Sequence, residues 1–310
     1  MRGEIKEAFR HTLSEIELSN IWLSLYECDF ETVRKAHNSI HELIYIAPLC
    51  IPKNKSFHEK SAFLAVYLFN VFYAAHRSFI EALSGFYNCA YTLLRNCLES
   101  AVRGAYYECL AHRKFRNNPN IPEITRKGRK TLKGWINDLI REGINKGIDI
   151  EEDLETLSAS IFDKLEVIED EEFKREFLYH PNYLEMIEAL KIWGILDPLS
   201  DPRKFWQDLY DELSKEAHAY PDRTEVGKRL LQLSSGNIFK VNVIPTELDK
   251  FCQTLHKIID FSMLIELNIL GEWIKENNDI KEKLKERLVA VQNLGLQLSY
   301  ERLKCLLTYC

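Results

Sequence analysis

The chain has 310 residues, of which 46% are hydrophobic, and a formal net charge of −6 at pH 7. That length can bury a large core in one or two domains, and the apolar content excludes a disordered chain. The negative charge excludes a surface that is basic throughout, so any contact with nucleic acid must be local.

The eight cysteines form no CxxC pair, and the N-terminal residues carry charges where a signal peptide has an apolar segment. We therefore expect reduced thiols and a cytoplasmic protein. Residues 62–75 form the most apolar stretch. At about 1.5 Å per residue, this stretch cannot cross a hydrocarbon layer of roughly 30 Å, so we predict a buried helix and no membrane contact.

Helices are predicted from the N-terminus onward. Apolar residues recur at helical spacing over 3–27 and 30–47, and Asp29 is a candidate N-cap for the second of these helices. Ser56 and Glu59 match a capping box, which opens a helical tract that runs to about residue 112.

A charged pattern repeats within that tract, as RSFIE with Arg77 and Glu81 and as RNCLE with Arg95 and Glu99. The repeats are eighteen residues apart, which corresponds to about five turns of one helix. Gly85 lies between them and is an alternative helix end, which would set the pairs on antiparallel neighbours. Surface ion pairing is the simpler interpretation, although such a pair stabilises a helix by only about 0.3–0.5 kcal/mol.

A basic segment at residues 113–130 breaks the helical pattern and is interpreted as a linker. Its cations are candidate contacts to RNA phosphates, because Asn and Pro keep the backbone open. A solvated connector is the alternative. The candidate contacts are Arg113, Lys114, Arg116, Arg126, Lys127, Arg129 and Lys130.

Residues 131–310 predict further helices that pack back on the helical bundle of residues 1–112, so that the chain forms one compact unit. The segment 237–244 is β-rich in composition and predicts at most one short ribbon. An acidic stretch at 151–176 complements the basic segment within one molecule or in a second copy, which leaves a homo-oligomer open. The predicted fold is an all-α bundle of about ten helices.

The helix near residues 203–219 carries Ser214 and His218 at the edge of its apolar face. A half-buried imidazole needs a hydrogen-bond partner, and a carboxylate such as Glu99 would supply one. We therefore expect Arg95, Glu99, Ser214 and His218 to meet in one cluster that encloses the imidazole. An open, positively charged cleft around His218 would indicate catalysis instead.

The R-x-x-x-E helix followed by L-S-x-x-x-H, here RNCLE and LSKEAH, resembles a group of prokaryotic helical domains that is loosely similar to the HEPN superfamily. The resemblance spans about residues 60–225. It implies a helical domain with an RNA-related or defence role, in a group whose members often have no assigned activity. We accordingly favour a noncatalytic binding or interaction protein.

Active HEPN proteins carry R-x(4–6)-H and cleave RNA without a metal, so a metal-independent endoribonuclease is the alternative that the resemblance implies. Two stretches match this spacing, Arg34 to His41 and Arg175 to His180. One or two such matches are expected by chance among nine histidines, so no catalytic residue is assigned.

His37 and His41 lie one helical turn apart, as metal-ligating histidines often do, and His11 with Glu15 repeats this spacing. No Glu-x-x-His pair of the di-iron bundle type accompanies them. Histidines on amphipathic helices are more often surface or core residues. The sequence therefore predicts neither a metal nor another cofactor.

Overall fold

The computed structural model describes residues 4–8, 10, 23, 25–50, 57–111, 182–197, 199–218 and 243–308. These residues form helices and contain no strand, which confirms the predicted all-α bundle. Only residues 243 and 244 of the predicted ribbon at 237–244 are among them, and they belong to neither a helix nor a strand. The basic segment lies outside the described residues.

Nine helices are bounded within the described residues, and residues 4–8 are also helical. The helices are α1 (Phe30–Leu49), α2 (Phe57–Leu83), α3 (Tyr87–Ala111), α4 (Tyr183–Ile192), α5 (Pro202–Ala217), α6 (Pro245–Ile269), α7 (Gly271–Glu276), α8 (Asn278–Leu294) and α9 (Gln297–Thr308).

The predicted N-cap of α1 is confirmed: the Asp29 carboxylate accepts hydrogen bonds from the backbone N–H groups of Glu31 and Thr32, each at 3.2 Å. Such a bond satisfies a donor that the first turn of a helix leaves unpaired. Pro48 lies in the last turn of α1, which ends at Leu49.

Gly85 ends α2 and turns the chain back into α3. It has φ = +80°, which a residue without Cβ adopts at little cost. The Phe86 N–H donates to the Glu81 carbonyl at 2.8 Å, and the Gly85 N–H donates to the Ala82 carbonyl at 3.0 Å. The charged repeats therefore lie on two antiparallel helices rather than on one long helix.

The side chains of α2 and α3 are also joined across this hairpin. Asn70 Nδ2 donates to Ser100 Oγ at 3.1 Å, and the Cys97 thiol lies 3.5 Å from the Val71 carbonyl. Helices α4 and α5 both pack on α3, while α6 packs on α1, α2, α3 and α9. The C-terminal helices thus contact the N-terminal ones directly.

Helix α6 forms the centre of the core, because residues 258–267 are buried without interruption and so cover its whole circumference. The Asp260 carboxylate on α6 accepts hydrogen bonds from the backbone N–H groups of Leu298 and Ser299, each at 2.9 Å. This contact caps α9 from a neighbouring helix.

Glu266 is an exception in this core. Its side chain is fully buried, and neither carboxyl oxygen has a hydrogen-bond partner within the described residues. Burial raises the pKa of Glu266 well above its ordinary value, because the charged form loses its hydration.

No helix in the described part of the chain is both long and apolar enough to cross a membrane.

Candidate functional site

The first charged repeat forms a surface ion pair. The Arg77 guanidinium lies 2.6 Å from the Glu81 carboxylate, and 64% of the Arg77 side chain is exposed. Neither charge is joined to Arg95 or Glu99 by a hydrogen bond or ion pair in the described structure. Surface ion pairing, the simpler interpretation of the motif, therefore describes this repeat.

The second charged repeat is turned toward the neighbouring helices. Arg95 Nε lies 2.9 Å from Glu99 Oε1, and only 31% and 23% of the two side chains are exposed. Arg95 also donates to the Tyr210 hydroxyl on α5, with its guanidinium carbon 4.4 Å from the centre of the tyrosine ring. Glu99 accepts from the Tyr183 hydroxyl on α4 at 3.3 Å.

A second arginine and an aromatic stack complete this group. Arg103 donates to the Tyr183 hydroxyl. The Trp206 ring is stacked between Tyr183 and Tyr210, at centroid distances of 5.7 and 4.6 Å. We call this group the Arg–Tyr cluster, and its members are Arg95, Glu99, Arg103, Tyr183, Trp206 and Tyr210.

Both tyrosine hydroxyls in the Arg–Tyr cluster remain protonated at neutral pH. Burial raises the pKa of Tyr183 to about 12, against the opposing effect of the Arg103 charge. Burial also raises the pKa of Tyr210, opposed by Arg95. The hydroxyls therefore act as neutral hydrogen-bonding groups that tie α3 to α4 and α5.

Ser214 and His218 do not join the Arg–Tyr cluster. The Ser214 hydroxyl is buried without a hydrogen-bond partner in the described residues, and the exposed His218 is the C-cap of α5. The predicted enclosure of His218 is therefore wrong. Tyr210 makes the contact with Arg95, and His218 lies two turns, or about 12 Å, farther along the helix.

The described end of α5 is not a basic cleft. Glu216 lies two residues before His218 and forms an ion pair with Lys250 of α6. Burial raises the pKa of Tyr91 on α3, and the carboxylates of Glu247, Glu216 and Glu212 raise it further. Carboxylates are therefore the prominent charges there.

The match to R-x(4–6)-H from Arg34 to His41 gains no support from its surroundings. Arg34 is exposed and pairs with Glu31 at 2.8 Å, one turn away on its own helix. The stretch from Arg175 to His180 lies outside the described residues, as do the seven candidate RNA contacts between 113 and 130.

Three histidines form a cluster where α1 packs on α2: His37, His41 and His76. The sequence did not predict that His76 joins the other two. The Nε2 atoms of His37 and His41 are 3.2 Å apart. The His76 ring centre lies 4.9 Å from that of His41 and 5.9 Å from that of His37. Only the pairing of the helices brings His76 to the other two, so no sequence spacing signals it.

His76 Nε2 is buried and has no hydrogen-bond partner in the described structure. Burial lowers the pKa of His41 and of His76, and the neighbouring imidazoles lower both further. Among the described residues, no three or more His, Cys, Asp or Glu side chains are placed so that they could coordinate one metal ion. His11 and Glu15 lie outside the described residues.

Comparisons with protein-family models, with curated proteins and with solved structures give no match for this chain.

Proposed function

We propose that this protein is a noncatalytic helical binding protein that contacts RNA through the basic segment 113–130. The observation that carries the proposal is the Arg103–Tyr183 hydrogen bond of the Arg–Tyr cluster. Arg103 lies about two turns before the end of α3, and Tyr183 is the first residue of α4. The bond therefore holds α3 beside α4, the two described helices between which the basic segment lies in the sequence.

The engagement of the arginines supports a noncatalytic role. Arg95 is bonded to Glu99 and Tyr210, and Arg103 is bonded to Tyr183. Catalysis of the HEPN type, as the resemblance implies it, requires an arginine and a histidine that act together on RNA. His218 lies about two turns from the residue that contacts Arg95, which supports a packing role for Arg95 and Arg103.

The test is the binding of labelled single-stranded RNA, followed by fluorescence anisotropy between about 50 and 200 mM salt. Binding should weaken as salt rises, because phosphate contacts release counterions. Replacement of Arg113, Lys114 and Arg116 by Ala should reduce the slope of log K against log salt by about 0.7 for each lost contact.

A matched control removes three exposed lysines from α6, α7 and α8. These are Lys257, Lys275 and Lys283. Their replacement by Ala removes three positive charges, as the first triple replacement does. RNA affinity should nevertheless stay within about twofold, because local phosphate contacts affect affinity more than the net charge of the protein does. Equal losses in both triple variants, or no RNA binding by the unaltered protein, would overturn the proposal.

A metal-independent endoribonuclease is the second candidate, and the exposure of the His218 side chain is the observation that favours it. The test is incubation of labelled single-stranded RNA with the protein in EDTA. Cleavage that is lost in His218→Ala or Arg175→Ala would replace the noncatalytic proposal. Absence of such cleavage supports binding without catalysis.

A further inference from the structure

The histidine cluster has the geometry of a chelate. Two nitrogens bound to one ion at about 2.0–2.1 Å are roughly 3.0 Å apart at a right angle and roughly 3.4 Å apart at the tetrahedral angle. The Nε2 atoms of His37 and His41 are separated by 3.2 Å, between these limits. In the absence of an ion, an N–H···N hydrogen bond accounts for the same contact.

A hydrogen bond at Nδ1 of His37 favours the tautomer in which Nε2 has a free lone pair. His37 Nδ1 lies 3.3 Å from the amide oxygen of Asn38, which can accept a hydrogen bond from a protonated Nδ1. A neutral imidazole that carries its proton on Nδ1 presents an unprotonated Nε2. Metal-binding histidines are commonly oriented by such a bond from their second nitrogen.

His76 supplies the second observation. Its Nε2 is buried without a hydrogen-bond partner in the described residues, and a buried polar atom left unpaired costs about 1–3 kcal/mol. A water molecule held on an ion at His37 and His41 would give this nitrogen a partner. Only two side chains would bind the ion directly. The arrangement is therefore compatible with the finding that no three His, Cys, Asp or Glu side chains among the described residues are placed to coordinate one ion.

Among the described residues, apolar aromatic rings contact the cluster, and the carboxylate next to His41 in the chain is already paired. The Phe72 ring lies 4.6 Å from His76, and the Phe79 ring lies 5.8 Å from His37. The Glu42 carboxylate, next to His41 in the chain, is bonded to Arg287 of α8. A ligand set of neutral imidazoles suits Zn²⁺, Ni²⁺ or Cu²⁺ and disfavours Mg²⁺ and Ca²⁺.

We propose that His37 and His41 chelate a divalent transition-metal ion through their Nε2 atoms, and that His76 hydrogen-bonds a water molecule on that ion. The site lies on α1 and α2, apart from the basic segment, and it does not depend on RNA binding. The pairing of two helices creates it.

The test is calorimetric titration of the untagged, EDTA-treated protein with Zn²⁺ and, separately, with Ni²⁺ at pH 7.5. We expect one equivalent to bind. His41→Gln should weaken binding by about tenfold or more, because it removes a ligand. His76→Phe should weaken binding by a smaller factor, since it removes only the partner of the bound water.

His218→Ala is the matched control, because His218 is exposed on a different helix and its loss should leave metal affinity unchanged. Circular dichroism checks that each variant is folded. If His41→Gln does not fold, His37→Gln removes the other proposed ligand and should also weaken metal binding by about tenfold or more. No metal uptake by the unaltered protein, or equal affinity in the ligand variants, would overturn the proposal.

Discussion

Two sets of polar groups in this bundle differ in how they are paired, although α5 also carries the unpaired Ser214 hydroxyl. On α3, α4 and α5, the Glu99 carboxylate and the tyrosine hydroxyls of the Arg–Tyr cluster bond to Arg95 and Arg103. On α2 and α6, which both pack on α1, His76 Nε2 and the Glu266 carboxyl have no hydrogen-bond partner in the described residues.

Paired and unpaired buried polar groups have different effects on the stability of the fold. Paired groups stabilise one arrangement of helices, because breaking the pair leaves a partner without hydration. Unpaired groups reduce stability until a proton, a water molecule or an ion satisfies them. The first region is therefore expected to determine how the helices dock, and the second to respond to solution conditions.

The largest expected effect is on the paired region. Arg95→Ala should lower the free energy of unfolding by about 2 kcal/mol, because Glu99 and Tyr210 lose their cation. Urea denaturation followed by circular dichroism measures this change. Arg77→Ala is the control from the same motif, and its loss should change stability by less than about 0.5 kcal/mol because Arg77 is exposed. Equal changes would remove the distinction between the repeats.

The unpaired region should respond in the opposite direction. Glu266→Gln should raise the free energy of unfolding at pH 7 by about 1 kcal/mol and leave it nearly unchanged near pH 4. The folded-state pKa of Glu266 is raised, so its contribution to stability is complete below the ordinary value of 4.5 and is lost as pH rises.

Denaturant titrations of Glu266→Gln and the unaltered protein between pH 4 and pH 8 measure this difference. Glu276→Gln is the control, because Glu276 is exposed and its replacement should show little pH-dependent difference. A gap between Glu266→Gln and the unaltered protein that does not widen as pH rises would show that burial of the acid is not the cause.

The smallest expected effect isolates one hydrogen bond of the Arg–Tyr cluster. Tyr210→Phe keeps the stacking on Trp206 but removes the hydroxyl that Arg95 contacts. We expect a loss of about 1 kcal/mol in thermal or urea unfolding. Tyr73→Phe, at an exposed position of α2, should be close to neutral. A neutral Tyr210→Phe would assign the stabilisation to ring packing alone.

Much of the helical architecture follows from local patterns. The Asp29 cap and the antiparallel alternative at Gly85 follow from residues within a few positions of each feature. The sequence also indicated that Arg95 and Glu99 are arranged together. These predictions succeed because caps, turns and i,i+4 pairs are local interactions.

The partners of these residues are not local, and there the sequence was misleading. Periodicity puts Tyr210, Ser214 and His218 on one side of α5, but it does not say which turn of α5 lies opposite Arg95. Side-chain packing along α3 determines that register, and it selects Tyr210. His76 was missed for the same reason, since only the docking of α1 on α2 brings it to His41.

The Arg103–Tyr183 bond has a consequence for how the gene can change. This bond joins α3 to α4 through two residues that are 80 positions apart in the sequence. The entropic cost of closing such a contact grows only logarithmically, by about 0.6 kcal/mol for each doubling of the intervening chain length. A change in the number of residues between α3 and α4 therefore alters the cost of this contact only slightly, so the gene can lengthen or shorten there while the α3–α4 contact is kept.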